Sequence, residues 1–506
     1  MKSFKTGLCF LLLSAAIACK KGKSGPGDDD SNGGGGAPTT GTRSELSLDS
    51  LYLYAREVYL WYDKIPANYS DFTPRKYNTE STDLASLTKE MFAISQLAVN
   101  PATNKPYEYN TFSPANAKYS YVVNKEGVNG GRMGSVSLEE KGDDFGFELG
   151  AVATTDIRVL FVNPASPASS AGLVRGDKIL TINGVPVTSS SSSLTTAFNN
   201  PSMALTVQKA DNSVAAYNLS KASYTSNPVL KSAVLTGNVG YIAIARFSRL
   251  SKAQASLDAA FANFSQKGVK KLIIDLRYNG GGYVNTAEHL LNLIAPASLN
   301  DKVAYTESYN ELLRTKKAPI LKQQILYNED GTPRKLSNGE TATYYNVSFS
   351  VADNTMKFAK AGALEGVTHV YFIVTRNTAS ASELVINALK PYLNVKTIGS
   401  KTYGKPVGFF AINIDKYSVY MSSFLIKNSA GNAEYFEGME AEVAAQDDPR
   451  YDFGNENEDG VKKALAALAT TGRMAQGTPV ETRYVPEAAK VDNGMIRTFE
   501  KQKLIE

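Results

Sequence analysis

The spacing of apolar residues changes along the chain, and each change predicts a different kind of element. Over residues 44–117 the period is helical: Leu51, Tyr54, Val58, Trp61 and Tyr62 form one stripe, and Leu84, Leu87, Met91 and Ile94 another. Residues 100–118, rich in Asn, Pro and Tyr, read as a loop. From about 138 to 222 the runs shorten and alternate, as in Ile157–Val162, which predicts short strands. From 229 to about 470, strand-like and helix-like runs take turns. Val239–Ala245 and Lys271–Arg277 read as buried strands, and Ala253–Phe264 between them as an amphipathic helix. That order predicts a mostly parallel sheet with its chemistry at the C-terminal ends of the strands.

One such end stands out. Val370–Val374 is a strand that runs directly into Thr378-Ala379-Ser380-Ala381-Ser382-Glu383, and a helix leaves from Glu383 until Pro391 stops it. A serine at this elbow faces the free N–H groups and positive end of a helix, which favour developing negative charge. The same residues also fit a capping box that only starts the helix. A second strand end carries Tyr278-Asn279-Gly280-Gly281-Gly282, where nothing blocks close backbone approach.

Composition narrows the chemistry. Two histidines, His289 and His369, leave little material for a Ser-His-Asp triad or a histidine metal site, and both read as structural. Net charge is +5, or +3 without Lys2 and Lys5, too mild for nucleic acid or a polybasic membrane surface. Those two lysines open an export signal over residues 1–18. Cys9 lies inside it, so the mature chain can form no internal disulfide. Ala16-Ile17-Ala18-Cys19 resembles a bacterial lipoprotein processing site, with Cys19 lipidated. Gly33–Gly36 and Asp28–Asp30 make residues 19–43 a flexible tether. The expected divisions are 1–18 signal, 19–43 linker, 44–137 helical region and loop, 138–222, 223–470, and a polar tail 471–506 that wraps the surface or stays loose. No role is assigned to the insertion 297–366. For residues 44–117 homo-oligomerisation is one option.

Ser166-Pro-Ala-Ser-Ser-Ala-Gly172-Leu173, Gly176-Asp177 and the strand ending in Asn183-Gly184 resemble a PDZ domain. Upstream, Phe145-Gly146-Phe147 resembles the loop that holds a peptide's terminal carboxylate, with a helix near Leu194–Phe198 as the second wall. The alternative is that both phenylalanines are core residues.

The order of PDZ segment, Asp275-Leu-Arg-x-Asn-x-Gly-Gly282, Ser380-Ala-Ser-Glu383 and Thr402-Tyr-Gly-Lys405 resembles the tail-specific or C-terminal processing peptidases. The likeness covers about two-thirds of the chain, residues 138–470. It implies a multidomain α+β protein: a crotonase-like layered α/β core, an inserted PDZ domain and a small N-terminal helical domain. It further implies a Ser-Lys dyad, with Ser380 as nucleophile and Lys405, 25 residues on, as general base. Ser382 competes with Ser380. Glu383 would orient the lysine, and the N–H groups of Gly281 and Ala381 would form the oxyanion hole, Gly282 being an alternative by one residue. A lysine can serve as base because burial disfavours its charged form; Tyr403, Val407, Phe409 and Phe410 are the expected apolar walls. The chain departs from the family's pattern at Gly280, where proline is usual, at Pro406 after the lysine, and at Gly438–Glu442.

The expected protein is therefore an exported, lipid-anchored serine endopeptidase of the cell envelope, periplasmic or surface-facing. It would capture exposed C-terminal segments through the PDZ domain and need no cofactor, metal or nucleic acid. The rival readings are a PDZ-based peptide-binding protein with a dead site and a crotonase-type acyl-thioester enzyme.

Overall fold

The computed structural model describes residues 36–111, 113–125, 136–190, 192–469, 483–484, 495–499 and 502–505. The signal, most of the linker and Cys19 lie outside them.

Residues 44–117 are helical in part. Helix α1 (Arg43–Val58) starts in a full capping box, where Thr42 and Glu45 exchange hydrogen bonds. Helix α2 (Asp83–Ser95) packs on it. Their apolar faces do not form a separate core: Leu48, Leu51, Leu87 and Met91 belong to one cluster with the helices of the central sheet. The insertion 297–366 feeds the same cluster through Tyr305, Tyr309, Leu321, Phe349 and Phe358.

The PDZ segment builds β1 (Phe147–Ala153), β2 (Asp156–Val162), β3 (Lys178–Ile182), α3 (Ser192–Asn199), β4 (Ser202–Gln208) and β5 (Val214–Ser220). The strands form one antiparallel sheet in the order β5-β4-β3-β2-β1 around their own core. Asn183 and Gly184 both take positive φ in the tight turn the sequence predicts.

The central sheet follows: β6 (Val229–Leu235), β7 (Val239–Ile244), α4 (Leu250–Gln266), β8 (Lys271–Asp275), α5 (Val284–Ile294), β9 (His369–Val374), α6 (Ala381–Leu389), β10 (Asn394–Gly399), β11 (Val407–Phe409), β12 (Val443–Ala444) and α7 (Asp459–Ala469). All but β11 join one sheet or its helices, with strand order β6-β7-β8-β9-β10-β12; only β6 runs antiparallel. Side-chain alternation separates the two faces. Ile242, Ile274 and Phe372 point to the side of α4, α5 and α6, whereas Tyr241, Ile273 and Tyr371 point to the side of α7. With both faces covered, the strands read as continuous apolar runs.

Of the tail, expected to wrap the surface or to stay loose, the described residues join two sheets. Strand β13 (Arg483–Tyr484) pairs with β1, and β14 (Met495–Ile496) pairs in parallel with β11. Met495 and Phe499 are buried in the main cluster, and Arg497 forms buried ion pairs with Glu288 and Glu307.

Candidate active site

Three segments meet at the C-terminal ends of β8 and β9. The first is the elbow between β9 and α6. Ser380 stands there with φ +62° and ψ −113°, a conformation that L-residues rarely adopt and that concentrates at functional sites. Helix α6 is buried all round, so its first residues point inward rather than at solvent.

The expected capping box is formed between Ser380 and Glu383, although its two halves are not equally tight. The Ser380 N–H donates to Glu383 Oε2 at 2.9 Å, but Ser380 Oγ is buried without a hydrogen-bond partner. The hydroxyl is thus not consumed in starting the helix. Ser382 Oγ, by contrast, donates to the Asn279 carbonyl at 3.0 Å.

The second segment is the loop Thr402–Lys405, and Glu383 binds it to the elbow. The Lys405 N–H reaches the same Glu383 Oε2 at 2.8 Å, while Oε1 accepts from the Gly404 N–H at 2.8 Å and the Thr402 hydroxyl at 2.5 Å. One carboxylate therefore collects donors from both sides of the site. Burial raises its pKa above the ordinary 4.5, and these donors oppose the rise. Gly404 has φ +84°, and a Cβ there would lie 2.3 Å from the Gly438 nitrogen, so only glycine fits the turn that presents the lysine.

Ser380, Glu383 and Lys405 are all 0% exposed. The Lys405 Nζ lies 4.4 Å from the centre of the Phe409 ring and 5.9 Å from that of Tyr119. Val407 and partly buried Tyr403 belong to the small cluster around these rings, whereas Phe410 packs elsewhere, against Tyr309, Phe349 and Phe499. Tyr119 was not visible as a site residue in the sequence. Its hydroxyl donates to the Gly404 carbonyl at 2.6 Å, and the adjacent Lys118 amine donates to Phe436 O. The only sequence signal was the density of tyrosines around it.

The third segment is the glycine loop. A Cβ on Gly281, at φ +107°, would come within 2.9 Å of Ser380 Cβ and 3.2 Å of the Ala381 nitrogen, which places this glycine directly on the elbow. Its N–H donates to Asn279 Oδ1 at 3.0 Å. The Ala381 N–H is the first amide of α6, one of those that helix geometry leaves without an intrahelical acceptor. A Cβ on Gly282 would strike Phe247 O at 2.1 Å. Asn279 stitches the loop down: its carbonyl also accepts the Ala379 N–H, and its side chain donates to Ile244 O. Strand β14 closes this side, with the Ile496 N–H donating to Gly282 O.

The remaining predicted residues lie apart. Phe145 and Phe147 are buried against Phe198 of α3, so both rings are core, and only the backbone of Phe145-Gly146-Phe147 could meet a peptide. His369 sits at the opposite end of β9 from the elbow, and His289 pairs with Asp258 at 2.6 Å. Among the described residues no cluster of His, Cys, Asp and Glu could hold a metal ion.

Fold and geometry together define a layered α/β core with a serine-bearing elbow at its strand ends, preceded by a small antiparallel domain with its own core. Residues 238–435 match the model of Peptidase family S41 and residues 158–195 that of the PDZ domain, the two matches that the resemblance implied. The chain is 25% identical over 268 residues to the C-terminal processing peptidase, chloroplastic, of Tetradesmus obliquus, covering 49% of this chain and 48% of that one. It is 24% identical over 354 residues to the carboxy-terminal processing protease CtpB of Bacillus subtilis, covering 68% of this chain and 62% of that one. It thus spans about half to three-fifths of these relatives' length. A solved structure from Bacteroides fragilis assigned to the S41 proteases shares the fold, with TM-score 0.52 and 21% identity over 83% of this chain and 96% of that one.

Proposed function

We propose that the protein is a serine endopeptidase working through a Ser380–Lys405 dyad on polypeptides whose exposed C-terminal segments the PDZ domain captures. The observation that carries this reading is the elbow. A buried serine hydroxyl without a hydrogen bond sits on strained backbone, and a single carboxylate fastens it to the loop of a buried lysine.

In this reading Ser380 Oγ attacks the scissile carbonyl and its proton passes to the neutral Lys405 amine. The carbonyl oxygen becomes an oxyanion held by the Ala381 N–H at the positive end of α6, with the Gly281 N–H as second donor once it turns from Asn279. The lysine then gives its proton to the leaving amine, and water hydrolyses the acyl-serine by the same route in reverse. Glu383 positions the lysine through its backbone. The names of the relatives support C-terminal processing as the task. The export signal and Cys19 support a lipid-anchored protein of the cell envelope; no helix among the described residues is long and apolar enough to cross a membrane.

The test is cleavage of a denatured protein by the purified chain beside Ser380→Ala, Lys405→Ala and Ser382→Ala. Removing the nucleophile or the base should cost about 10⁴-fold or more in turnover with the fold retained, and Ser382→Ala much less. Undiminished cleavage by Ser380→Ala would refute the assignment. Peptide binding by a parent that never cleaves would favour the binding-protein reading.

A further inference from the structure

In a PDZ sheet an extended peptide adds to the edge of the strand that follows the carboxylate loop, beside the helix. Here that strand is β1, which begins at Phe147 directly after the loop. With only β2 on its inner side, β1 would be the outermost strand of the domain. Its outer edge is taken by the chain itself: β13 lies antiparallel to it, with Arg483 opposite Ala151 and Tyr484 opposite Gly150. Antiparallel addition at this edge is how a peptide ligand would bind.

We propose that the tail strand Arg483–Tyr484 is an internal occupant of the PDZ edge, which an extended substrate segment must displace before it can be captured. Three observations support this. The pairing is short, two residues of backbone, and so is readily exchanged for another strand. Both flanks are fixed to the catalytic domain, by α7 ending at Ala469 on one side and by buried Met495 and the Arg497 ion pairs on the other. The tail therefore competes as a tethered, high-effective-concentration ligand. Finally, the occupant offers no terminal carboxylate at this point of the chain, and the loop is already faced by a side-chain carboxylate of the chain itself. The Asp144 carboxylate, hydrogen-bonded by Tyr224 at 2.8 Å, lies against the Gly146 N–H.

A self-occupied edge lowers the apparent affinity for an added peptide by the fraction of molecules in which it is open. The inference rests on PDZ capture as proposed above, so the experiment separates the two. A fluorescein-labelled, extended ten-residue peptide with an apolar C-terminus is titrated into the full chain carrying Ser380→Ala, which prevents its cleavage. Two changes are then added separately. Tyr484→Pro removes the N–H that a ladder needs. Ala151→Cys with Arg483→Cys, in a chain with Cys9→Ser and Cys19→Ser, locks β13 onto β1 as a disulfide. Tyr484→Pro should tighten binding about tenfold, and in the cleaving enzyme it should lower KM with kcat unchanged. The locked form should lose binding and regain it on reduction. If the parent binds and neither change alters its affinity, the inference fails while capture stands. If no form binds the peptide, capture fails and the inference falls with it.

Discussion

Glu383 and Asp447 are both buried carboxylates that join distant segments, and their pKa values move in opposite directions. Glu383 collects backbone N–H groups and the Thr402 hydroxyl, and burial wins: its pKa is raised. Burial also pushes Asp447 up, but the Arg175 and Arg277 charges outweigh it and hold the group at about 2. Arg175 comes from the PDZ domain and Arg277 from the strand end before the glycine loop, with Asp275 and Glu458 completing the cluster. The Glu383 donors fix the local geometry of the Lys405 loop against the elbow. The arginine network fixes one domain on another and demands that every charge keep its partner.

The comparison breaks most sharply at Glu383. Glu383→Ala removes the acceptor of three backbone N–H groups and one hydroxyl, and leaves the Lys405 loop held to the elbow by the Tyr403 N–H to Thr378 carbonyl bond, 3.0 Å, without its carboxylate clamp. We expect kcat to fall by about 10³-fold, the scale of a misplaced catalytic group, with a loss of folding stability of roughly 1–3 kcal/mol. Single-turnover cleavage together with denaturant unfolding checks both. A variant that unfolds easily yet cleaves normally would deny Glu383 its positioning role.

Asp447→Asn should reverse that ranking. It leaves two buried arginines short of an anion, which costs about 3–5 kcal/mol in stability, while turnover of the folded fraction falls far less. Calorimetry beside the same cleavage assay separates the two quantities.

These contrasts also show what the sequence could reveal. That Ser380, Glu383 and the Lys405 loop come together was legible because a strand, a turn of small residues and a helix are written locally, and because three motifs stand in an order that resembles a known family's. The capping-box reading held as well: Glu383 accepts the Ser380 N–H and the Ser380 hydroxyl faces the start of the helix, yet that hydroxyl makes no hydrogen bond of ordinary geometry. Tyr119 and β14 were illegible because their contacts cross some 285 and 87 residues of chain, to Gly404 and Phe409, and no local pattern encodes such pairings. The insertion 297–366 hid for the same reason. Its aromatics are spaced for no single element, yet they complete the core beneath α5 and α6.

pH offers a subtler separation. A raised carboxylate contributes stability that is complete below its ordinary 4.5 and is lost as pH rises through its folded value; Glu383 is of this kind. A lowered one contributes stability present above 3.8 and lost as pH falls toward about 2, as for Asp447. The melting temperature of Glu383→Gln relative to the parent should therefore change with pH only above 4.5, and that of Asp447→Asn only below 3.8. Because the clamp needs the ionised form, the acid limb of cleavage should also fall above 4.5 and disappear from its place in Glu383→Gln. A limb at the ordinary carboxylate position would show that another group controls it.

The smallest effect expected is at Asn279, which belongs to neither carboxylate but touches what both support. Its Oδ1 holds the Gly281 N–H at 3.0 Å and its Nδ2 donates to Ile244 O at 3.1 Å. Asn279→Ala removes both bonds, leaving one buried carbonyl without its donor, for a stability cost of about 1–2 kcal/mol. Its effect on turnover discriminates between two roles for the loop. If Gly281 serves the oxyanion only after turning from Asn279, freeing its N–H leaves kcat equal to the parent's or raises it. If Asn279 must hold the loop in register with the elbow, kcat falls about tenfold while KM stays unchanged, because the contact acts on the transition state and not on capture. The first outcome makes the Asn279 bond a resting-state latch, and the second makes it part of the preorganised site.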